Sequence, residues 1–157
     1  MMDALRTHLV RAIDWEEAHV GFDQALAGLP ADKRGALAPG FEHSPWQLLE
    51  HLRIAQADIL DFSVNPSYVH DRTWPDDYWP KAPAPPDADA WDASIASYKA
   101  DLEAMKELVR NQPDLFALVP TGTAGQTYLR AIFLVADHAA YHIGQIVAVR
   151  RALNEWK

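Results

Sequence analysis

The chain has 157 residues, of which 49% are hydrophobic and 23% charged, as in an ordinary folded domain rather than a disordered or fibrous chain. Its net charge of −8 and its short basic clusters exclude an extended nucleic-acid interface, because too few cations line up to neutralise a phosphate backbone. The absence of cysteine excludes disulfides, thiolate metal sites and a thiol nucleophile supplied by the chain itself. We expect a single domain over residues 1–157.

The beginning of the chain does not have the pattern of a signal peptide. Charged residues such as Asp3, Arg6 and Arg11 interrupt the stretch in which an apolar core would lie. No apolar run approaches the length of a membrane span either. We therefore expect a cytoplasmic protein with no membrane partner.

The first predicted element is a helix over residues 3–26. Its apolar residues recur at spacings of three and four, and Trp15, His19 and Phe22 belong to this stripe. Glycines and prolines between residues 28 and 40 then predict a connection to the next element.

The second predicted helix has the clearest start in the chain. Ser44 is placed as the N-cap, Pro45 as the first helical residue, and Gln47 at the position where a capping box has Glu or Gln. The helix is expected to end near residue 65. His51 lies beside its apolar stripe.

A long proline-rich loop is predicted over residues 64–90. It contains six of the eleven prolines and two of the six tryptophans. Loops of this length inside a compact domain are uncommon and are usually functional or disordered, and the aromatic residues favour an ordered loop that packs on the helices. We expect it to form a lid or a pocket wall.

Two further helices follow, one capped by Asp89 and ended by Pro113, the other over residues 126–153 and apolar on two sides. Four helices without a convincing strand predict an all-α four-helix bundle. In such bundles metal and cofactor sites are built from inward-facing side chains of facing helices.

The fourth helix carries two histidines, His138 and His142, one turn apart on one face. They continue an apolar row, so the imidazoles are expected to be buried, and a shared cation would satisfy them. His51 can supply a third ligand from a facing helix, which leaves open coordination positions of the kind found in catalytic sites. The alternative is that each is a core histidine that donates to a carbonyl group.

Three other residues are candidates for the surroundings of this site. Gln145 and Asp58 lie on suitable faces to hold a ligating imidazole or to contact a substrate. His19 is either a further ligand, a partner of a ligand or a core residue. There is no His-Glu-x-x-His motif and no other catalytic template, so the metal would be the centre of any catalysis.

Three stretches of sequence resemble the DinB/YfiT-like superfamily of metalloenzymes. They are residues 43–52 (HSPWQLLEHL), 136–145 (ADHAAYHIGQ) and 74–80 (WPDDYWP), and the similarity spans nearly the whole chain. The resemblance implies an up-down-down-up four-helix bundle, often dimeric, in which His51, His138 and His142 bind one divalent metal ion. Zinc and nickel are the first expectations, with manganese a third.

The resemblance also implies a reaction class. Characterised relatives include transferases and isomerases that use low-molecular-weight thiols such as bacillithiol, mycothiol or glutathione, with the metal activating the thiol. Our leading hypothesis is a thiol-dependent S-transferase that acts on a small molecule and forms a homodimer. The alternatives are a metal-dependent hydrolase and a non-catalytic, stress-related module in which the metal is structural.

Overall fold

The computed structural model describes residues 2–14 and 18–156, and these residues form helices and loops. The α-helices are α1 Met2–Ile13, α2 Phe22–Leu26, α3 Pro45–Val64, α4 Ala90–Asn111 and α5 Tyr128–Ala152. Within the described ranges the only extended pairing is one isolated bridge between Leu118 and Thr127. The prediction of an all-α helical bundle is confirmed, whereas the up-down-down-up order stays a prediction.

The long helices begin where short-range signals place them. Ser44 forms the predicted capping box: its hydroxyl oxygen accepts from the Gln47 amide at 3.2 Å, and the Gln47 side chain accepts from the Ser44 amide at 3.1 Å. At the start of α5 the Thr127 hydroxyl accepts from the Arg130 amide. Asp89 holds the predicted cap position of α4, but it is the Asp87 carboxylate that accepts the amide hydrogen bonds there.

The prediction of one continuous first helix over residues 3–26 is wrong. The helix α1 ends at Ile13, residues 18–20 are not helical, and α2 begins after Gly21. Ile13 and Phe22 are both buried in the same core, so the apolar spacing continues across the break and hides it from a periodicity analysis. The predicted stripe residue Trp15 lies outside the described residues.

The central helix is α3, which packs against both α4 and α5. Its residues Leu48, Leu49 and Leu52 are almost fully buried and form much of the core. A polar anchor lies among them: the buried Glu50 carboxylate accepts from Arg53 at 2.7 and 2.9 Å and from the Ser94 hydroxyl of α4 at 2.6 Å. This anchor fixes the first turns of α3 against α4, directly beside the following residue, His51.

The helix α5 corrects one expectation about apolar segments. With 25 residues and a high mean hydropathy it is long and apolar enough to cross a membrane by length and composition. Buried helices of folded domains meet the same criterion, and α5 buries Ile132, Val135 and Ile146 in the bundle. The statement that no segment approaches the length of a span is therefore wrong, and the absence of a membrane partner stays a prediction.

Candidate metal centre

The three predicted histidines lie together between α3 and α5. One ligand atom from each of His51, His138 and His142 lies within 4.8 Å of those of the other two. The Nε2 atoms of His51 and His138 are 2.9 Å apart, and the ring centroids of the three pairs are separated by 4.4–4.8 Å. Two nitrogens bound to one tetrahedral Zn²⁺ lie about 3.3–3.4 Å apart, so small side-chain shifts suffice to accommodate an ion.

Burial makes this cluster unusual for three polar rings. His51 is 1% exposed and His142 6% exposed, while His138 is partly buried. Buried polar groups need partners, and each of the three rings has another imidazole as its neighbour. The arrangement is therefore suited to a shared cation, which would accept one lone pair from each ring.

Hydrogen bonds to oxygen atoms set the tautomers of two of these histidines. The Nδ1–H of His51 donates to the Tyr78 carbonyl at 2.9 Å, and the Nδ1–H of His142 donates to the Gln145 side-chain oxygen at 2.6 Å. A carbonyl oxygen can only accept, so in both rings Nδ1 carries the proton and Nε2 keeps its lone pair. Ligating histidines in proteins have this outer hydrogen bond as a rule.

The same surroundings keep the rings neutral. Burial lowers the pKa of His138 to about 3, with further lowering by His142 and His51. Burial, together with His51, lowers the pKa of His142 to about 4 against the opposing effect of the Gln145 hydrogen bond, and burial also lowers the pKa of His51. Neutral imidazoles with free lone pairs are the form that binds a metal ion, so at neutral pH the cluster needs no deprotonation step.

The long loop contributes directly to this site, as expected of a pocket wall. Trp79 stacks on His51 with a centroid distance of 3.8 Å and an interplanar angle of 2°, and it also stacks on His43 at 3.8 Å. Two hydrogen bonds connect the loop to the start of α3: the Ser44 hydroxyl donates to the Pro83 carbonyl, and the side-chain amide of Gln47 donates to the Pro80 carbonyl. The segment that carries Trp79 is thus held against the histidine cluster.

Asp58 supports the site indirectly, through its contact with Tyr78. Its two carboxylate oxygens accept from the Tyr68 hydroxyl at 3.0 Å and the Tyr78 hydroxyl at 2.7 Å. Burial and this carboxylate raise the pKa of Tyr68 to about 12, and they raise that of Tyr78 as well. Asp58 therefore fixes the side chain of Tyr78, whose carbonyl holds His51.

Of the three further residues that the sequence suggested, the structure connects two to the histidine cluster and places the third apart from it. It places Gln145 on His142 and connects Asp58 to His51 through Tyr78. His19 is apart from them: its ring is exposed and its Nδ1 lies 2.9 Å from the neighbouring Val20 carbonyl, so its predicted place in the core is wrong.

Sequence reasoning missed two contributors, the Tyr78 carbonyl and the ring of Trp79. Both lie in a loop, where periodicity carries no information. The signal that could have indicated them is the pair of adjacent aromatic residues in a segment otherwise rich in proline.

Comparison with known proteins identifies a family for the part of the chain that carries this site. The family model of the DinB superfamily matches residues 14–146, which include all three histidines of the cluster. No curated protein matches the chain.

Proposed function

The chain belongs to the DinB superfamily, and we propose that within this family it is a metal-dependent enzyme, specifically a thiol-dependent S-transferase. The observation that carries this proposal is the cluster of three neutral imidazoles, of which His51 and His142 are buried and carry their protons on Nδ1, so that their Nε2 atoms keep their lone pairs. The family and the cluster together fit a metal-binding protein.

The donor set fits a borderline divalent ion. Imidazole nitrogen suits zinc, nickel and other transition metals, and three protein ligands leave coordination positions for a substrate. His51, His138 and His142 would hold the ion. When bound, such an ion supplies Lewis acidity and lowers the pKa of a thiol or water that reaches it.

The composition of the site favours an external thiol over a hydrolytic reaction. The chain contains no cysteine, so a sulfur nucleophile has to come from a second molecule. Hydrolysis by such a site commonly requires a side chain that takes a proton from water. Among the described residues no carboxylate belongs to the cluster, and Asp58 already accepts hydrogen bonds from two tyrosines. A thiol needs less help, because its pKa of about 8.5 is far below that of water.

One observation favours the non-catalytic alternative. His51 is almost fully buried and the Trp79 ring lies flat on it, as a purely structural metal site would require. A structural ion would stabilise the fold without turnover, so stability and activity measurements separate this second candidate from an enzyme.

The test uses protein that was purified without an affinity tag and loaded with one equivalent of zinc or nickel. Wild-type protein and His138→Ala are assayed with glutathione, bacillithiol or mycothiol and a set of alkyl and aryl electrophiles. We expect metal-dependent thioether formation by the wild type and its loss in the variant. A large metal-induced rise in melting temperature without turnover of any thiol–electrophile pair would contradict the transferase and support the structural module.

A further inference from the structure

A second feature of the bundle is an open cavity of about 370 Å³ between α3 and α5. Its walls include Asp58, Ile59 and Phe62 of α3 and Arg130, Ala131 and Leu134 of α5. We call it the Arg130 cavity. The volume is within the range of small-molecule sites, which are usually apolar with a few polar groups that fix orientation.

The Arg130 cavity and the histidine cluster share their supporting residues. Leu134 precedes His138 by four residues on α5, which is about 6 Å along the helix axis. On the opposite wall the Asp58 carboxylate accepts from the hydroxyl of Tyr78, whose carbonyl accepts from His51. The end of the cavity at Leu134 therefore lies about one helical turn from His138, and Arg130 lies about two turns from it.

The two charged groups of the cavity, Asp58 and Arg130, differ in their hydrogen bonding. Each oxygen of Asp58 already accepts a hydrogen bond from a tyrosine hydroxyl, although these neutral donors leave the carboxylate charged. Over residues 2–14 and 18–156, the Arg130 guanidinium makes no ion pair and no hydrogen bond. The cavity thus presents to a ligand one exposed cation whose hydrogen-bond donors are unused.

The position of Arg130 on its helix makes an anionic ligand more favourable still. Arg130 lies in the first turn of α5, where the helix dipole favours negative charge and disfavours a cation. The charge is therefore placed against the local field without a carboxylate partner to compensate. A bound carboxylate would pair with the guanidinium, which can donate two parallel hydrogen bonds, and would interact favourably with the helix end as well.

We propose that the Arg130 cavity binds an amphipathic organic carboxylate, with the carboxylate on Arg130 and the apolar body between Phe62 and Leu134. The inference rests on the proposed function, because it assigns to this cavity the co-substrate that a thiol at the histidine cluster would attack. The substrate class is therefore an aryl or alkyl electrophile that carries a carboxylate, rather than a neutral one.

The test compares a matched pair of probes, 4-phenylbutyrate and 4-phenylbutanamide, which differ in charge but hardly in shape. Binding is measured by calorimetry and ligand-observed NMR on the metal-free protein, so that the acid cannot bind to an ion. We expect the wild type to bind the acid up to about fivefold more tightly than the amide, as an ion pair with an exposed arginine allows.

Three variants locate the binding. Arg130→Gln is expected to bind the acid no better than the amide. Arg151→Gln removes a charge from an exposed residue of the same helix, about 30 Å away, and is expected to behave as the wild type. Leu134→Trp fills the cavity and is expected to weaken both probes.

Equal binding of acid and amide by the wild type would overturn the inference. An acid preference that survives in Arg130→Gln, binding unchanged in Leu134→Trp, or no binding of either probe at millimolar concentration would do the same. Metal content is measured in parallel on the wild type and Arg130→Gln. Absence of the acid preference in a wild type that binds one metal ion refutes the inference alone, whereas an acid preference in a wild type that binds no metal refutes the proposed function alone.

Discussion

Gln145 offers the most specific perturbation of the candidate site, because it touches a metal ligand without being one. Its side-chain oxygen accepts from the Nδ1–H of His142 at 2.6 Å, and it lies on the same helix three residues further on. Gln145→Leu keeps a similar volume but removes the acceptor, so the imidazole loses both its orientation and part of its basicity. Removal of such outer partners typically costs about 10–100-fold in metal affinity, which corresponds to about 1.4–2.7 kcal/mol of binding free energy.

The assay is competition for zinc between the protein and a fluorescent chelator. Gln145→Glu is expected to bind zinc at least as tightly as the wild type, because a carboxylate acceptor increases the basicity of the imidazole. Gln24→Leu, at an exposed position of α2, serves as the matched control and is expected to leave the affinity unchanged. Wild-type affinity in Gln145→Leu together with lost binding in His142→Ala would refute this reasoning, since His142 would then ligate without the support of Gln145.

Three further outcomes are expected of the metal-free protein, each measured by urea unfolding. The free energy of unfolding is expected to fall as the pH is lowered from about 6.5 towards 4. The histidines of the unfolded chain take up protons near pH 6.5, whereas the pKa values of His138 and His142 in the folded protein are about 3 and 4. Each histidine contributes at most about 1.4 kcal/mol per pH unit, and a flat profile would contradict the neutral cluster. Ser94→Ala removes a hydrogen bond to the buried Glu50 carboxylate and is expected to cost about 1.5–3 kcal/mol; a wild-type midpoint would be inconsistent with the anchor. Ser44→Ala removes the N-cap of α3 and is expected to cost about 1–2 kcal/mol, and an unchanged unfolding curve would show that the capping box adds no stability.

Local sequence signals predicted the ends of the long helices and two of the three histidines of the cluster. The capping box at Ser44 lies within four residues, and His138 and His142 share one helix face, so neither requires knowledge of the fold. The choice of His51 as the third histidine depended on its position beside the apolar stripe of its helix and on the family resemblance.

The features that could not be predicted from the sequence depend on contacts between distant segments or on the ends of short helices. Tyr78 holds His51 through a backbone carbonyl, which no residue type can signal. The stacking of Trp79 on His51 joins residues 28 positions apart through a loop without periodicity. The break before Gly21 was hidden because apolar residues on both sides face the same core.

The central claim is that the three clustered histidines hold one divalent ion, and metal stoichiometry tests it most directly. Untagged protein is analysed by elemental mass spectrometry as purified and after titration with zinc, nickel and manganese, beside His51→Ala, His138→Ala, His142→Ala and the exposed control His8→Ala. We predict one tightly bound ion per chain in the wild type and in His8→Ala, and loss of stoichiometric binding in each of the three cluster variants. A wild type that neither retains nor takes up an ion, or cluster variants that bind as the wild type does, would contradict the account.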